Sequence, residues 1–480
     1  MFQFALSGHE EVDDAMSPRK QTDLRRADAL RNRERILNAG ERMLARSPSA
    51  TLVDIAAAAG VARTTLHRHF ASRDDLIAAL RDRPHDRDPE VGPAALPAGR
   101  LGRDRPVSLD AIQVFDVVSP AVLPDQLVAE AQRIARVPVA LYVLDIDGTH
   151  LLHMAGPQRL GDKLAVSLAI GPELDADGLS ALRERLGEFP GLEVYALWLR
   201  GRANGVMIAF GRPAEPLSEL ARQAAAAVTL ADRYTDAFAL AQRRKQPTAA
   251  AEIQQSLLPP RITRVTGGEV AGNVLPAYEV AGDWFDVVEN ADGVWITVAD
   301  GLGGSTRATA SSAVALGALR ASRRSGADIS EALVVMHQTL REMPGPRAEM
   351  TAAVARWDPA THELRVSNCG HVAPLIVRQG TTVEHLDIPA NHGLGGRASA
   401  KPGERSTALG PGDRLVMVSD GVVKSGDGQA GLKLDGVVEA ALRSELGTGA
   451  DTVREIHRAV LDEADGELKD DATAVCLAVQ

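Results

Sequence analysis

The chain has 480 residues, 45% of them hydrophobic and 24% charged, the balance of a globular protein but too long for one core, so about three domains are expected. Two cysteines, Cys369 and Cys476, stand far apart without metal-type spacing; that excludes a disulfide-framed scaffold and points to a reducing cytoplasm. No apolar run nears the roughly 18 residues of a membrane span, and residues 1–16, with Glu10, Glu11, Asp13 and Asp14, lack the cationic start of a signal peptide.

The net charge of −11 hides a division. Residues 17–83 carry 14 Lys/Arg against 8 Asp/Glu, which leaves −17 for the remainder. A basic head on an acidic body suggests that the head alone meets a polyanion. Helical spacing runs over 31–45, with Ile36, Leu37, Met43 and Leu44 on one side. A second helix starts at Thr51, a good N-cap, and runs to Ala59. Gly60-Val61 makes a turn, and a third helix covers 63–70. A fourth over 73–80 stops before Pro84, and 84–107, rich in Pro, Gly, Arg and Asp, reads as a linker.

Residues 51–70 have the layout of a helix-turn-helix: alanines let two helices cross closely, and Gly60 can take a left-handed turn. Together with Thr51, the third helix offers Arg63, Thr64, Thr65, His67, Arg68 and His69, types that reach phosphates and base edges in a major groove. On Ile36-Leu37, Asp54-Ile55-Ala56, Ala59-Gly60-Val61, His69-Phe70 and Asp75-Leu76, residues 30–82 resemble the DNA-binding domain of TetR-type regulators. The resemblance implies a duplex DNA partner. His67 departs from it, standing where that family usually has tyrosine.

From 108 to 212 the pattern alternates: a helix near 127–135, a strand over 139–145, and a hairpin of 192–199 with 206–210 around 201–205. This predicts a small α+β domain. On Tyr142-Val143-Leu144-Asp145 and on residues 199–206 it resembles GAF domains, which implies a sensor. Residues 213–258 read as linker helices. An alanine-rich helix over 217–244 carries Leu217, Ala221, Ala224, Val228, Ala231 and Phe238 at a spacing near 3.5. That spacing serves either a dimeric seam or a helix lying on its own domain. A second helix between Pro247 and Pro259-Pro260 follows.

The last segment, 259–480, alternates short Val/Ile/Leu-rich strands with helices near 309–323, 329–341 and 452–463. Carboxylates mark four strand ends: Asp283 before Trp284-Phe285-Asp286, Asp300-Gly301 after 295–299, Asp420-Gly421 after 414–419, and Asp470-Asp471 opening 474–479. Converging carboxylates raise one another's pKa and so call for protons or cations. With oxygen ligands alone, Mn2+ or Mg2+ is favoured.

These stations, with Glu252–Pro259, Met350-Thr351-Ala352-Ala353 and Asn368–Leu375, resemble the metal-dependent protein phosphatase (PPM) family in its SpoIIE/RsbU-type branch. The resemblance covers residues 249–480 and implies an αββα sandwich with two divalent cations, Mn2+ or Mg2+, between its sheets. Asp300 would bridge both cations with the Gly301 carbonyl on one of them. Asp283 would hold the second and Asp420 and Asp470 the first, with Asp286 and Asp471 supporting them from behind. Asp300, Asp283 and Asp420 would then be the catalytic residues. The implied substrate is a phosphoserine or phosphothreonine protein, an anti-sigma-factor antagonist. Two departures stand out. The loop Leu302-Gly303-Gly304-Ser305 lacks the histidine many relatives carry, and Lys424 replaces a usual acidic residue. The whole reads as a multidomain cytoplasmic homodimer: an all-α helix-turn-helix head, a GAF-like α+β middle and an α+β phosphatase. The alternative is a transcription regulator whose phosphatase-like domain only binds a ligand or partner.

Overall fold

The computed structural model describes residues 118–480 apart from 167–168, 277, 280–281, 304–305, 390, 427–430 and 445–446. Nearer the N-terminus it describes 36–37, 39, 51–59, 61, 63–70, 72 and 75–76. The chain forms two compact units, 1–100 and 101–480.

In the first unit, helices α1 (Leu52–Ala59) and α2 (Arg63–His69) stand where the sequence puts them. Thr51 caps α1 reciprocally: its N–H donates to Asp54 Oδ2 (2.9 Å) and its Oγ1 accepts from Asp54 N (3.3 Å). Ser72 and Asp75 repeat the arrangement ahead of the next helical residues. Ile36, Leu37, Ile55, Ala56, Leu66, Phe70 and Leu76 share one apolar core, so the first and fourth predicted helices contribute to it. The remainder of those two helices, the Gly60 turn and the 84–107 linker lie outside the described residues.

The second unit begins with a five-stranded antiparallel sheet built from β1 (Val139–Leu144), β2 (His150–Ala155), β3 (Lys163–Ala165), β4 (Leu192–Leu199) and β5 (Arg202–Phe210), in the order β3-β2-β1-β5-β4. Side chains alternate across it. Val139 and Leu141 pack on α3 (Leu123–Ala135) and α5 (Ser218–Ala231), whereas Ala140, Tyr142 and Leu144 pack under α4 (Ala176–Leu186). The β4–β5 turn is tighter than the sequence suggests. Arg200 and Gly201 both have positive φ, 50° and 87°, the two-residue turn that suits the twist of a hairpin.

The helix expected over 217–244 is two pieces. After α5, Thr235 Oγ1 accepts from Ala237 N (3.2 Å) and starts the short α6 (Ala237–Ala241). Leu217, Ala221, Ala224, Val228, Ala231 and Phe238 are buried in the middle domain's own core. The helix therefore lies on its own domain, and those residues are not free to form a dimeric seam. α7 (Ala249–Leu257) follows, capped by Thr248, which accepts from Ala251 N (3.1 Å).

Two antiparallel sheets form the remainder. One contains β8 (Trp284–Asn290), β9 (Gly293–Gly301), β10 (Met350–Asp358), β11 (Glu363–Cys369) and β14 (Glu404–Ala408), in the order β14-β11-β10-β9-β8. The other contains β6 (Ile262–Val265), β7 (Gly268–Leu275), β12 (Leu375–Arg378), β13 (Thr382–His385), β15 (Arg414–Val418) and β16 (Ala472–Val479), in the order β13-β12-β15-β16-β7-β6. Their inner faces meet through Phe285, Ile296, Val298, Trp357, Met417 and Val475. α8 (Thr306–Arg324) and α9 (Ile329–Glu342) cover the first sheet. α11 (Lys433–Arg443) and α12 (Gly449–Glu463) cover the second. This is the αββα sandwich. Short α10 (Asp420–Val423) continues β15.

The middle and C-terminal parts are joined by buried polar contacts. Arg454 of α12 grips both carboxylate oxygens of Asp175, the N-cap of α4, at 2.8 and 3.0 Å. Glu173 accepts from Ile262 N (2.8 Å) and pairs with Arg202 (3.0 Å), whose Nη1 reaches the Ile262 carbonyl (3.1 Å). Tyr278 donates its hydroxyl to Asp145 and accepts from Arg244 N (2.8 Å), while the Arg244 side chain pairs with Asp145 and Asp147.

Candidate functional site

Strand parity decides which carboxylates share a space. On β9, Val294, Ile296 and Val298 face the other sheet and Trp295 and Ala299 face the helices, so Asp300 ends the inner-facing set. On β8, Phe285 faces inward and Trp284 outward, which sends Asp283 inward with Asp300. The register pairs Trp284 with Ala299, and Gly301 N donates to the Gly282 carbonyl (3.2 Å), so Asp283 and Asp300 are cross-strand neighbours. On β16, Val475 and Leu477 face inward, and Thr473 and Asp471 follow the same parity.

Two glycines permit this closeness. A Cβ on Gly421 would lie 2.0 Å from the Asp471 carbonyl oxygen, and one on Gly282 would lie 2.6 Å from that of Gly301. In each case the Cβ would strike a backbone oxygen, which cannot swing aside as a flexible side chain can.

Asp283 is 2% exposed; its Oδ2 accepts from Thr473 Oγ1 (2.6 Å) and its carbonyl from Gln254 Nε2 (2.9 Å). Burial, then Asp300 and Asp471, hold its carboxyl well above the ordinary range. Asp300 is raised to about 6 by burial, then by Asp420 and Asp470. Asp471 is pushed up to about 7 by burial, against hydrogen bonds that pull the other way. Its Oδ2 accepts from Gln254 Nε2 (2.7 Å), Gly282 N (2.8 Å) and Asp283 N (3.1 Å), while Oδ1 is buried with no partner. Ser419 N donates to the Thr473 carbonyl and Ser419 Oγ accepts from Thr473 N, both at 2.9 Å. That lock fixes the Asp420 end of β15 to the Asp471 end of β16. Asp470 is exposed and accepts from Asp471 N (3.0 Å). Asp420 pairs through Oδ2 with Lys424 Nζ at 2.5 Å.

Asp283, Asp300, Asp420, Asp470 and Asp471 are thus brought into one electrostatic cluster, with Gly301 beside it. Asp286 is not. Three positions after Asp283, it has the opposite parity, and its two oxygens are taken by Arg320 (2.8 Å) and Arg323 (2.9 Å) of α8. The expected supporting role behind the ligands is therefore corrected: Asp286 ties β8 to the helix layer. His371, held by Thr351 Oγ1 (2.8 Å), is lowered to about 4 by burial. Among the described residues, no three His, Cys, Asp or Glu side chains already stand in ligating geometry. The donor set nevertheless suits hard divalent cations: oxygen only, three carboxyls whose charge is penalised, and an orphaned Asp471 oxygen at the cluster. Sequence reasoning gave Gln254, Ser419 and Thr473 no role. Their only signal is polarity at buried positions, which shows once the fold is known.

In the head, Thr51 and Thr64 are exposed and Thr65 and His69 half-buried. The side chains of Arg63, His67 and Arg68 lie outside the described residues.

Two sheets are sandwiched by helices, with acidic strand ends gathered at one end of the sandwich. The family model of Stage II sporulation protein E (SpoIIE) matches residues 290–480, and that of bacterial regulatory proteins, tetR family, matches 36–80. Residues 36–80 are thus similar to tetR-family regulators and residues 290–480 to SpoIIE. Over 103 residues the chain is 39% identical to the HTH-type transcriptional repressor LfrR of Mycolicibacterium smegmatis, covering 20% of this chain and 54% of the repressor. The chain thus spans about half the length of that curated relative.

Among solved structures it is similar to the RsbU and RsbW domains of a Mycobacterium tuberculosis protein (21% identity, 46% of this chain, 63% of that one, TM-score 0.40). It is also similar to the SiaA PP2C domain of Pseudomonas aeruginosa (18% identity, 48% and 94%, TM-score 0.41). A third is the PP2C domain with a regulatory fragment of SpoIIE from Bacillus subtilis (19% identity, 44% and 64%, TM-score 0.37). Among the described residues no helix is long and apolar enough to cross a membrane.

Proposed function

We propose that this protein is a cytoplasmic, DNA-binding serine/threonine phosphoprotein phosphatase that works with two divalent cations, Mn2+ or Mg2+. The observation that carries this is the gathering of Asp283, Asp300, Asp420, Asp470 and Asp471 from separate strands at one end of the sandwich, with burial and mutual repulsion opposing their charge. Asp300 and the Gly301 carbonyl, Asp283, Asp420 and Asp470 would hold the cations, and Asp471 would position Asp283 and Gly282 through its three accepted hydrogen bonds. When bound, the cations supply charge neutralisation toward the phosphoryl oxygens and a water acidic enough to lose its proton near neutral pH.

The protein's own part is to hold the carboxylates close to one another. Thr473 and Gln254 fix Asp283 from two sides, the Ser419–Thr473 lock fixes the spacing of the Asp420 and Asp471 strand ends, and the glycines let strand ends meet. His371 is held neutral and bonded to Thr351, so it serves as structure.

The substrate class is a phosphoserine or phosphothreonine protein, read as an anti-sigma-factor antagonist, and the middle domain is read as a GAF-like sensor. Dimeric binding follows from the head, since helix-turn-helix proteins engage two half-sites about 34 Å apart. The test is hydrolysis by Asp300→Ala and Asp420→Ala in Mn2+. Both are expected to lose turnover while keeping the fold, and near-normal turnover in Asp300→Ala would sink the assignment.

A further inference from the structure

Lys424 follows the last turn of α10, four residues after Asp420. Its side chain is 71% exposed, yet its ammonium is drawn in to 2.5 Å from Asp420 Oδ2. Packing does not hold it there; charge does. The same ammonium lies in the fields of Asp470 and Asp300, so it faces three of the carboxylates that would ligate cations. Being largely in water, it can swing away without leaving a cavity.

We propose that Lys424 is a tethered counter-ion of the acidic cluster, competing with a divalent cation for Asp420 and so setting how tightly that side of the cluster holds its metal. The inference rests on the two-cation reading above. An Oδ2 paired with an ammonium at 2.5 Å has the lone pair on that side engaged and cannot also ligate a cation there. A cation arriving at Asp420 Oδ2 must therefore displace Lys424 and forfeit the pair, and one arriving at Oδ1 is repelled by the ammonium beside it. Exposed pairs of this kind shift an equilibrium by about two- to fivefold, and the repulsion adds to it. The arrangement lets the cluster stay partly neutralised before a cation arrives and makes occupancy answer to the free cation concentration.

The test is calorimetric titration of the metal-free full-length chain with MnCl2, so the readout is binding and not turnover. Lys424→Met keeps the length and apolar stem but can neither pair nor repel; it is expected to bind Mn2+ about three- to fivefold more tightly. Lys424→Arg keeps the charge and is expected to stay within about twofold of wild type. Equal or weaker Mn2+ affinity in Lys424→Met, with wild type still binding, overturns the role given to Lys424. Absence of Mn2+ binding by all three proteins overturns the two-cation reading itself, and this inference with it.

Discussion

Asp300→Asn replaces a carboxylate by an amide of the same shape in the middle of the cluster. In wild type the Asp300 carboxyl is held at about 6 against an ordinary 3.8, so ionising it in the folded state costs about 3 kcal/mol, at about 1.4 kcal/mol per pKa unit. The sign follows from linkage. Below 3.8 both states are protonated and no penalty exists; through 6 the folded state gives up its proton; above 6 the penalty is complete. Metal-free wild type should therefore lose stability as pH rises from about 4 to above 6, and the amide should lose less, because only the raised carboxyls of Asp283 and Asp471 remain. Because Asp283 and Asp300 share the effect, about half the figure is a fair lower bound, giving about 1.5–3 kcal/mol at pH 8. For a domain of this size that is about 3–10 °C in Tm. Scanning fluorimetry in EDTA should show Asp300→Asn melting above wild type at pH 8, with the gap falling to about half at pH 5. In Mn2+ the order should invert, since only wild type gains a bound ion. A variant less stable than wild type in EDTA at pH 8, or a gap unchanged between the two pH values, would refute the reasoning.

Asp286→Asn should leave Mn2+ affinity unchanged but destabilise the fold by about 3–5 kcal/mol, because it strands the buried Arg323; a loss of metal affinity without loss of Tm would return Asp286 to the metal site. Tyr278→Phe removes the hydroxyl that bonds Asp145 and Arg244 N. It should cost about 1–3 kcal/mol, read as a lower urea midpoint, and an unchanged midpoint would show that the contact between middle and C-terminal parts contributes nothing. Duplex binding by the full chain should weaken steeply between 50 and 200 mM salt, and Arg63→Ala and Arg68→Ala should lower affinity further. Gel shifts showing no duplex binding at any salt would remove the DNA reading of the head.

Much of the site was legible because it is written at strand ends. A buried apolar run that stops on Asp-Gly tells both where a strand ends and that a carboxylate waits there, as at Asp300 and Asp420, while Asp283 and Asp470 stand just ahead of apolar strands. Asp286 was misread because it shares a short motif with Asp283. Counting parity from Trp284 and Phe285 would have sent it to the helix side. The 217–244 periodicity was real, but spacing alone does not name the partner surface, and the middle sheet claimed it. The junction through Glu173, Asp175, Arg202 and Arg454 left no local trace. Asp175 and Arg454 are 279 residues apart, and only the tertiary fold brings such groups together.

The central claim is tested most directly by phosphate release from a phosphoserine protein, measured with the full-length chain in EDTA and again with MnCl2. Release that appears with Mn2+, disappears with EDTA and is absent in Asp300→Ala is the predicted result. Release that is equal with and without divalent cations, or no release under either condition while Mn2+ binds, would contradict it and favour a transcription regulator whose phosphatase-like domain only binds a partner.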